Sequence, residues 1–299
     1  MSIKSAVRRW AAFALMAGVG LWAIAGHGFE AGKPGLWHVE GASGSIYLMG
    51  SVHVLDQANP WTTPEIDAAF QESRCLALEI DLGSAAPMTI AAKLRGVGQY
   101  DPDGPGLEQH VSDETYQRFR NVVGDLSVSP ESLDRFRPWL VGIILTSVIA
   151  DKLGYSERNG VDTYFMTRAE AVKTPIVGLE SLDDQIAVLS DTGEETDDEA
   201  LGDVLDDVAR EPAMIKAVAD AWRHGDLDAI AKKVAEAFAN HPEEYDRLIG
   251  QRNRHWLPKL DKMLKAGRHC FVVVGAGHLV GKDSLLTLLK DAGYTVTRE

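Results

Sequence analysis

The chain has 299 residues, 45% hydrophobic and 25% charged, which is the composition of a globular protein and excludes long disorder. Its length suits one large domain or two small ones. A formal net charge of −14, with no basic stripe, argues against a nucleic-acid partner.

Residues 1–25 read as a secretory signal peptide. Lys4, Arg8 and Arg9 form a basic start, Trp10 to Phe29 contains no Asp, Glu, Lys or Arg, and Ala23-Ile24-Ala25 is a small-x-small processing site. An uncleaved anchor is the alternative, because the uncharged run is long enough to span a bilayer. The short basic start suits a bacterium and therefore a periplasmic protein, with membrane contact only through this segment if it is retained. Cleavage removes three positive and no negative charges, taking −14 to about −17.

Residues 26–299 read as one α/β domain, with α+β the variant, whose mixed central sheet is built from both chain ends. Trp37 to Glu40 and Ile46 to Met49 form a hairpin about the turn Ala42 to Gly44. A helix follows, capped by Thr62 or Thr63, with Pro64 in its first turn and Glu65 completing a capping-box pattern. "CLALEIDL" is a short buried strand. From about 97 to 155 the chain reads as a mostly helical insert. Ser112 caps one helix, and Ser129 caps another whose apolar stretch, Pro138 to Ala150, predicts a central buried helix. "GVDTYFMTRAEAV" is helical and "TPIVGLE" a strand. A helical region runs from about 181 to 266, ending at Gly267 with helices near 200–210, 213–224, 227–239 and 242–266. The acidic run Asp191 to Ala200 reads as a solvated loop or helix start. "CFVVVG", a helix and "YTVTRE" close the chain. Cys75 and Cys270 each open an apolar strand and read as two buried thiols, with a disulfide as the alternative.

The chemistry gathers where apolar strands end. "IYLMGSVH" ends in His53, "CLALE" in Glu79, "TPIVGLE" in Glu180 and "FVVVGAGH" in His278. Open α/β sheets bind ligands beyond the carboxyl ends of their strands, so four segments deliver two imidazoles and two carboxylates to one edge. Gly50, Gly275 and Gly277 read as turns that use positive φ or close approach. Two chemistries follow. In one, His53, His278 and a carboxylate bind a divalent metal that activates water. In the other no metal is involved: one His is a general base and the other stabilises developing charge. Plainer readings stand beside these: a structural histidine at a turn, Glu180 as a helix-start acid, and Arg254 of "QRNRHW" in a surface salt bridge instead of a pocket.

The stretches "GSIYLMGSVHVLD", "LALEIDL", "NGVDTYFMTRA", "PIVGLES", "QRNRHW" and "FVVVGAGHLVGKDSLLTLLKDAGYTVTRE" together resemble the TraB/GumN family. That family is grouped with the animal Tiki proteins, erythromycin esterases and haem-binding ChaN-like proteins. The resemblance implies a hydrolase, peptidase-like on the Tiki pattern. It also implies a metal site (Mn, Co or Zn) at His53, Glu79 and His278, with Glu180 and Arg254 in the pocket. The alternatives it carries are a metal-free ester hydrolase and a periplasmic binding protein for haem or another ligand. Of these ligands haem is the disfavoured one. A peptide or other small substrate is the expected partner.

Overall fold

In the computed structural model, residues 33–57, 60–84, 86–239 and 241–299 are described. The expected signal segment lies outside them. Among the described residues, no helix is long and apolar enough to cross a membrane.

The strands are β1 (Leu36–Glu40), β2 (Ser45–Ser51), β3 (Cys75–Leu78), β4 (Ile176–Gly178), β5 (His269–Gly275) and β6 (Thr295–Arg298). They form one mixed sheet in the order β4-β3-β5-β2-β1-β6, built from both chain ends as expected. The four strands β4, β3, β5 and β2 run parallel, and β1 is antiparallel to both its neighbours. Successive side chains on a strand point to opposite faces. Thus Phe271 and Val273 of β5 join one apolar core with Met49, Leu76 and Leu78. Cys270, Val272 and Val274 join the other with Ile46, Leu48 and Ala77. Burial on both faces explains why these strands read as unbroken apolar runs.

The helices are α1 (Pro64–Glu72), α2 (Pro87–Gly98), α3 (Leu107–His110), α4 (Asp113–Asp125), α5 (Pro138–Lys152), α6 (Val161–Val172), α7 (Leu182–Ser190), α8 (Asp197–Val208), α9 (Glu211–Arg223), α10 (Leu227–Ala237), α11 (Pro242–Tyr245), α12 (Gln251–Lys265) and α13 (Leu285–Asp291). Thr63 caps α1 by accepting the Ile66 N–H, and Ser112 caps α4 through Thr115 N–H. The acidic run is part loop and part helix start: α8 opens at Asp197, capped by Thr196. As expected, α5 is central. Its residues contribute to the sheet-face core, to a helical core shared with α4 and α8, and to a small cluster around Trp139.

Three expectations are corrected. Ser129 precedes only a short 3-10 turn, and α5 starts at Pro138, because a residue before proline is held extended: Arg137 has ψ 153°. The helix expected over 242–266 is interrupted by a π-helical turn, Asp246–Gly250, between α11 and α12. Cys75 and Cys270 are not free thiols. They are register partners on adjacent strands, with Cα atoms 4.6 Å apart, and form a disulfide.

Candidate active site

Parallel pairing places the ends of four strands side by side. Ser51 is level with Gly275, and Leu78 lies between Val273 and Gly178. The residues that follow therefore leave the same edge of the sheet. His53 follows β2, Glu79 follows β3, Glu180 follows β4, and His278 sits in the 3-10 turn after β5. The pairing of β3 and β4 continues one residue further, where the Glu180 N–H donates to the Glu79 carbonyl at 2.8 Å.

Gly275 forms the floor. A Cβ built there would lie 3.2 Å from Glu79 Oε1, 3.6 Å from the His278 ring and 3.9 Å from His53 Nε2. The two histidines and the glutamate thus border one small space that only glycine leaves open. The role of the glycines is close approach, not the positive φ also allowed for. Gly50, Gly275 and Gly277 are all absent from the positive-φ positions, and Gly50 is needed because Ala276 would meet a Cβ there at 3.2 Å. Gly160 likewise leaves room for the His53 backbone carbonyl.

Each imidazole is held at Nδ1. His53 Nδ1 is 2.7 Å from Asp162 Oδ2, and the Ser51 hydroxyl donates to the other carboxylate oxygen at 3.1 Å. His278 Nδ1 is 2.8 Å from Asn253 Oδ1. The Asn253 amide donates to two backbone carbonyls, those of His278 and Asp283. Its Oδ1 must therefore accept, so His278 carries its proton on Nδ1.

Arg252 is the cation of the site. Its Nη2 reaches Glu79 Oε2 at 2.5 Å and Glu180 Oε1 at 2.6 Å, its Nε donates to Glu180 Oε2, and its Nη1 donates to His278 Nε2 at 3.1 Å. Glu180 also accepts from Trp256 Nε1 and Gln185 Nε2. Glu79 Oε1 accepts the Gly275 N–H at 2.7 Å.

These contacts divide the charge. Burial disfavours a charged His53, but Asp162 outweighs it, with Glu79 and Glu157 adding to the effect, and the pKa is pushed up to about 9. Burial drives His278 down to about 3; Arg252 and His53 act the same way against Glu79, so His278 is neutral. Burial opposes ionisation of Glu79 too, yet Arg252, the two histidines and the Gly275 N–H bring it down to about 2. Burial raises Glu180 despite its contacts with Arg252.

Of the residues expected in the site, His53, Glu79, Glu180 and His278 converge. Arg254 does not. It is exposed and paired with Asp246 and Asp283 on the outer face of α12, and the pocket arginine is Arg252. Arg252, Asn253, Trp256 and Leu260 are buried while Arg254 and His255 are exposed, which is the helical stripe i, i+1, i+4, i+8. Counting back from Trp256 and Leu260 identifies Arg252. Asp162 was also missed. In sequence it is one acid in the first turn of a helix, a position that acids favour on their own account.

Above the floor is a cavity of about 110 Å³. His53, Glu79, Arg252 and His278 form its polar end, and residues of α9 and α10 form its apolar wall. Such a pocket, with a few convergent polar groups of shifted pKa, is the general form of a small-molecule or catalytic site.

The donor types suit a divalent cation, and Glu79 Oε1 to His278 Nε2, at 3.7 Å, suits two ligands of one ion. The third corner does not close. Among the described residues no three His, Cys, Asp or Glu side chains reach metal-ligand spacing, and the His278 lone pair accepts from Arg252.

The architecture is that of an α/β protein with paired Gly-x-x-His segments at the carboxyl edge of its sheet. The profile of the TraB/PrgY/gumN family matches residues 35–298, and the chain belongs to that family. It is 24% identical over 249 residues to the uncharacterized protein YbaP of Escherichia coli (strain K12), covering 82% of this chain and 88% of YbaP. An uncharacterized protein of Treponema pallidum (strain Nichols) is 22% identical over 271 residues, 85% of this chain and 79% of the relative. No solved structure matches the chain.

Proposed function

We propose that the protein is an exported hydrolase of peptide or ester bonds, with His53 as the general base. The observation that carries this reading is the convergence of His53, His278, Glu79 and Arg252 on one space over Gly275. His53 is held cationic by Asp162 and His278 is neutral, and separated pKa values of this kind mark acid and base roles. The neutral form of His53, which becomes the main form only above about pH 9, takes a proton from water over Gly275, and its Nε2 faces that space. As imidazolium it returns the proton to the leaving amine or alcohol. Arg252 lines the same cavity and offers positive charge to a developing oxyanion. Glu79 and Glu180 keep Arg252 in place. The buried Cys75–Cys270 disulfide supports export, since such bonds persist in oxidising compartments.

A second reading is metal dependence, favoured by the Glu79–His278 spacing and by the anchoring of both Nδ1 atoms, which leaves the Nε2 atoms as donors. His53, Glu79 and His278 would hold the ion once Arg252 moved off His278. When bound, such an ion supplies Lewis acidity and an acidified water.

The test is turnover of peptide and ester libraries by the mature protein, its His53→Ala and Glu79→Gln variants, and the chelated and Mn-, Co- or Zn-supplemented protein. Chelator-resistant turnover lost in His53→Ala supports the first reading. Turnover lost to chelator and restored by metal supports the second. Turnover indifferent to both variants would sink both.

A further inference from the structure

The cavity above Gly275 has two unlike ends. Its polar end is the site already described. Its other end is made by Met214, Ile215 and Val218 of α9 with Ile230 and Val234 of α10 and Phe238 just beyond. Met214, Ile215 and Val218 lie at i, i+1 and i+4, one face of a helix. Ile215, Ile230 and Val234 are buried in the core, whereas Met214 and Val218 are only partly buried and present their apolar surface to the cavity. Glu211, which opens α9, also borders the cavity and is itself engaged in an interaction.

Apolar surface left facing a cavity next to a catalytic floor gains free energy when an apolar group fills it. The volume gives the scale of that group. A cavity near 150 Å³ lined by Leu, Ile and Phe accepts benzene, and this one is about 110 Å³. That is room for one branched aliphatic side chain. On this wall Glu211 is the one polar side chain, which suits an aliphatic group better than a sugar.

We infer that the α9–α10 wall is a specificity pocket for a single neutral aliphatic side chain, of leucine size, beside the bond to be cleaved. The inference rests on the hydrolase reading for the word "cleaved", but the pocket itself can be tested by binding alone.

The experiment uses the mature protein with ¹³C-methyl-labelled methionine, the Met214 signal being assigned with Met214→Leu. N-acetyl-leucinamide, N-acetyl-glycinamide and N-acetyl-lysinamide are titrated in turn. The leucine derivative is expected to shift Met214 and to bind at least about tenfold more tightly than the other two, since one or two methylenes in an apolar pocket discriminate by that order. Val218→Phe, which fills the cavity from a half-buried position, is expected to remove the preference. Equal affinity for the three ligands, an unmoved Met214 signal, or preference for the lysine derivative would overturn the proposal, and none of these needs the variant. If the leucine derivative binds as expected while no peptide or ester is hydrolysed, the pocket stands and the hydrolase reading falls.

Discussion

His53 Nδ1 lies 2.7 Å from Asp162 Oδ2, across a sequence separation of 109 residues. One group comes from the loop after β2 and the other from the first turn of α6, and the pairing makes the histidine cationic in the metal-free protein. Asp162→Asn keeps the shape and removes the charge. Burial then acts on His53 without its main opposition, so its pKa is expected to fall from about 9 to below the ordinary value of 6.5. Imidazole ¹⁵N chemical shifts across pH 5–10 would read this directly.

The same pair shapes stability. A raised folded-state pKa contributes stability that is complete below 6.5 and is lost as pH rises through about 9. Wild-type stability is therefore expected to decline across that window, and Asp162→Asn to flatten the decline. Urea midpoints at pH 6 and pH 9.5 check it, and an unchanged slope in the variant would remove Asp162 from the account.

The two arginines of "QRNRHW" are expected to differ sharply. Arg252→Met leaves Glu79 and Glu180 buried without the guanidinium they share and is expected to cost about 3–5 kcal/mol. Arg254→Gln breaks two exposed ion pairs and is expected to cost about 0–1 kcal/mol. Chemical denaturation of both variants beside the wild type makes the comparison, and near-equal losses would mean that the buried network does not hold the site together.

These pairs also show what was legible in the sequence. The strand ends were legible because an apolar run closing on Gly-x-x-His or on Glu is a local pattern, and parallel strands carry such ends to one edge. The partners of those residues were not. Asp162 and Asn253 act across the fold on His53 and His278, and nothing local separates them from ordinary helix residues. Arg252 was within reach, since its spacing to Trp256 and Leu260 is helical, but the family pattern pointed to Arg254. The disulfide required knowing that β3 and β5 are neighbours, which the chain order, with a sequence separation of 195 between the cysteines, conceals.

Gly275→Ala tests the floor. The backbone there, at φ −49°, accepts alanine, but the new methyl meets Glu79 Oε1 at 3.2 Å and the His278 ring at 3.6 Å. Turnover is expected to fall by about 100-fold, the scale of a misplacement near 1 Å, while folding loses only about 1–3 kcal/mol from overpacking. Initial rates and a thermal melt on the same sample separate the two effects. Wild-type rates in the variant would show that the space over Gly275 is not where the reaction happens.

The disulfide lies at the opposite end of β3 and β5 from Glu79 and His278, so its loss should act on stability before chemistry. It closes a long loop, and removing such a link costs about 2–5 kcal/mol. Cys75→Ser,Cys270→Ser is expected to melt well below the oxidised wild type, as is wild type kept in reductant. Below its own transition the variant should keep the binding of N-acetyl-leucinamide, because the paired strand ends remain in register. Loss of that binding in a folded variant would show instead that the link sets the register of β3 against β5, and with it the position of Glu79 over Gly275.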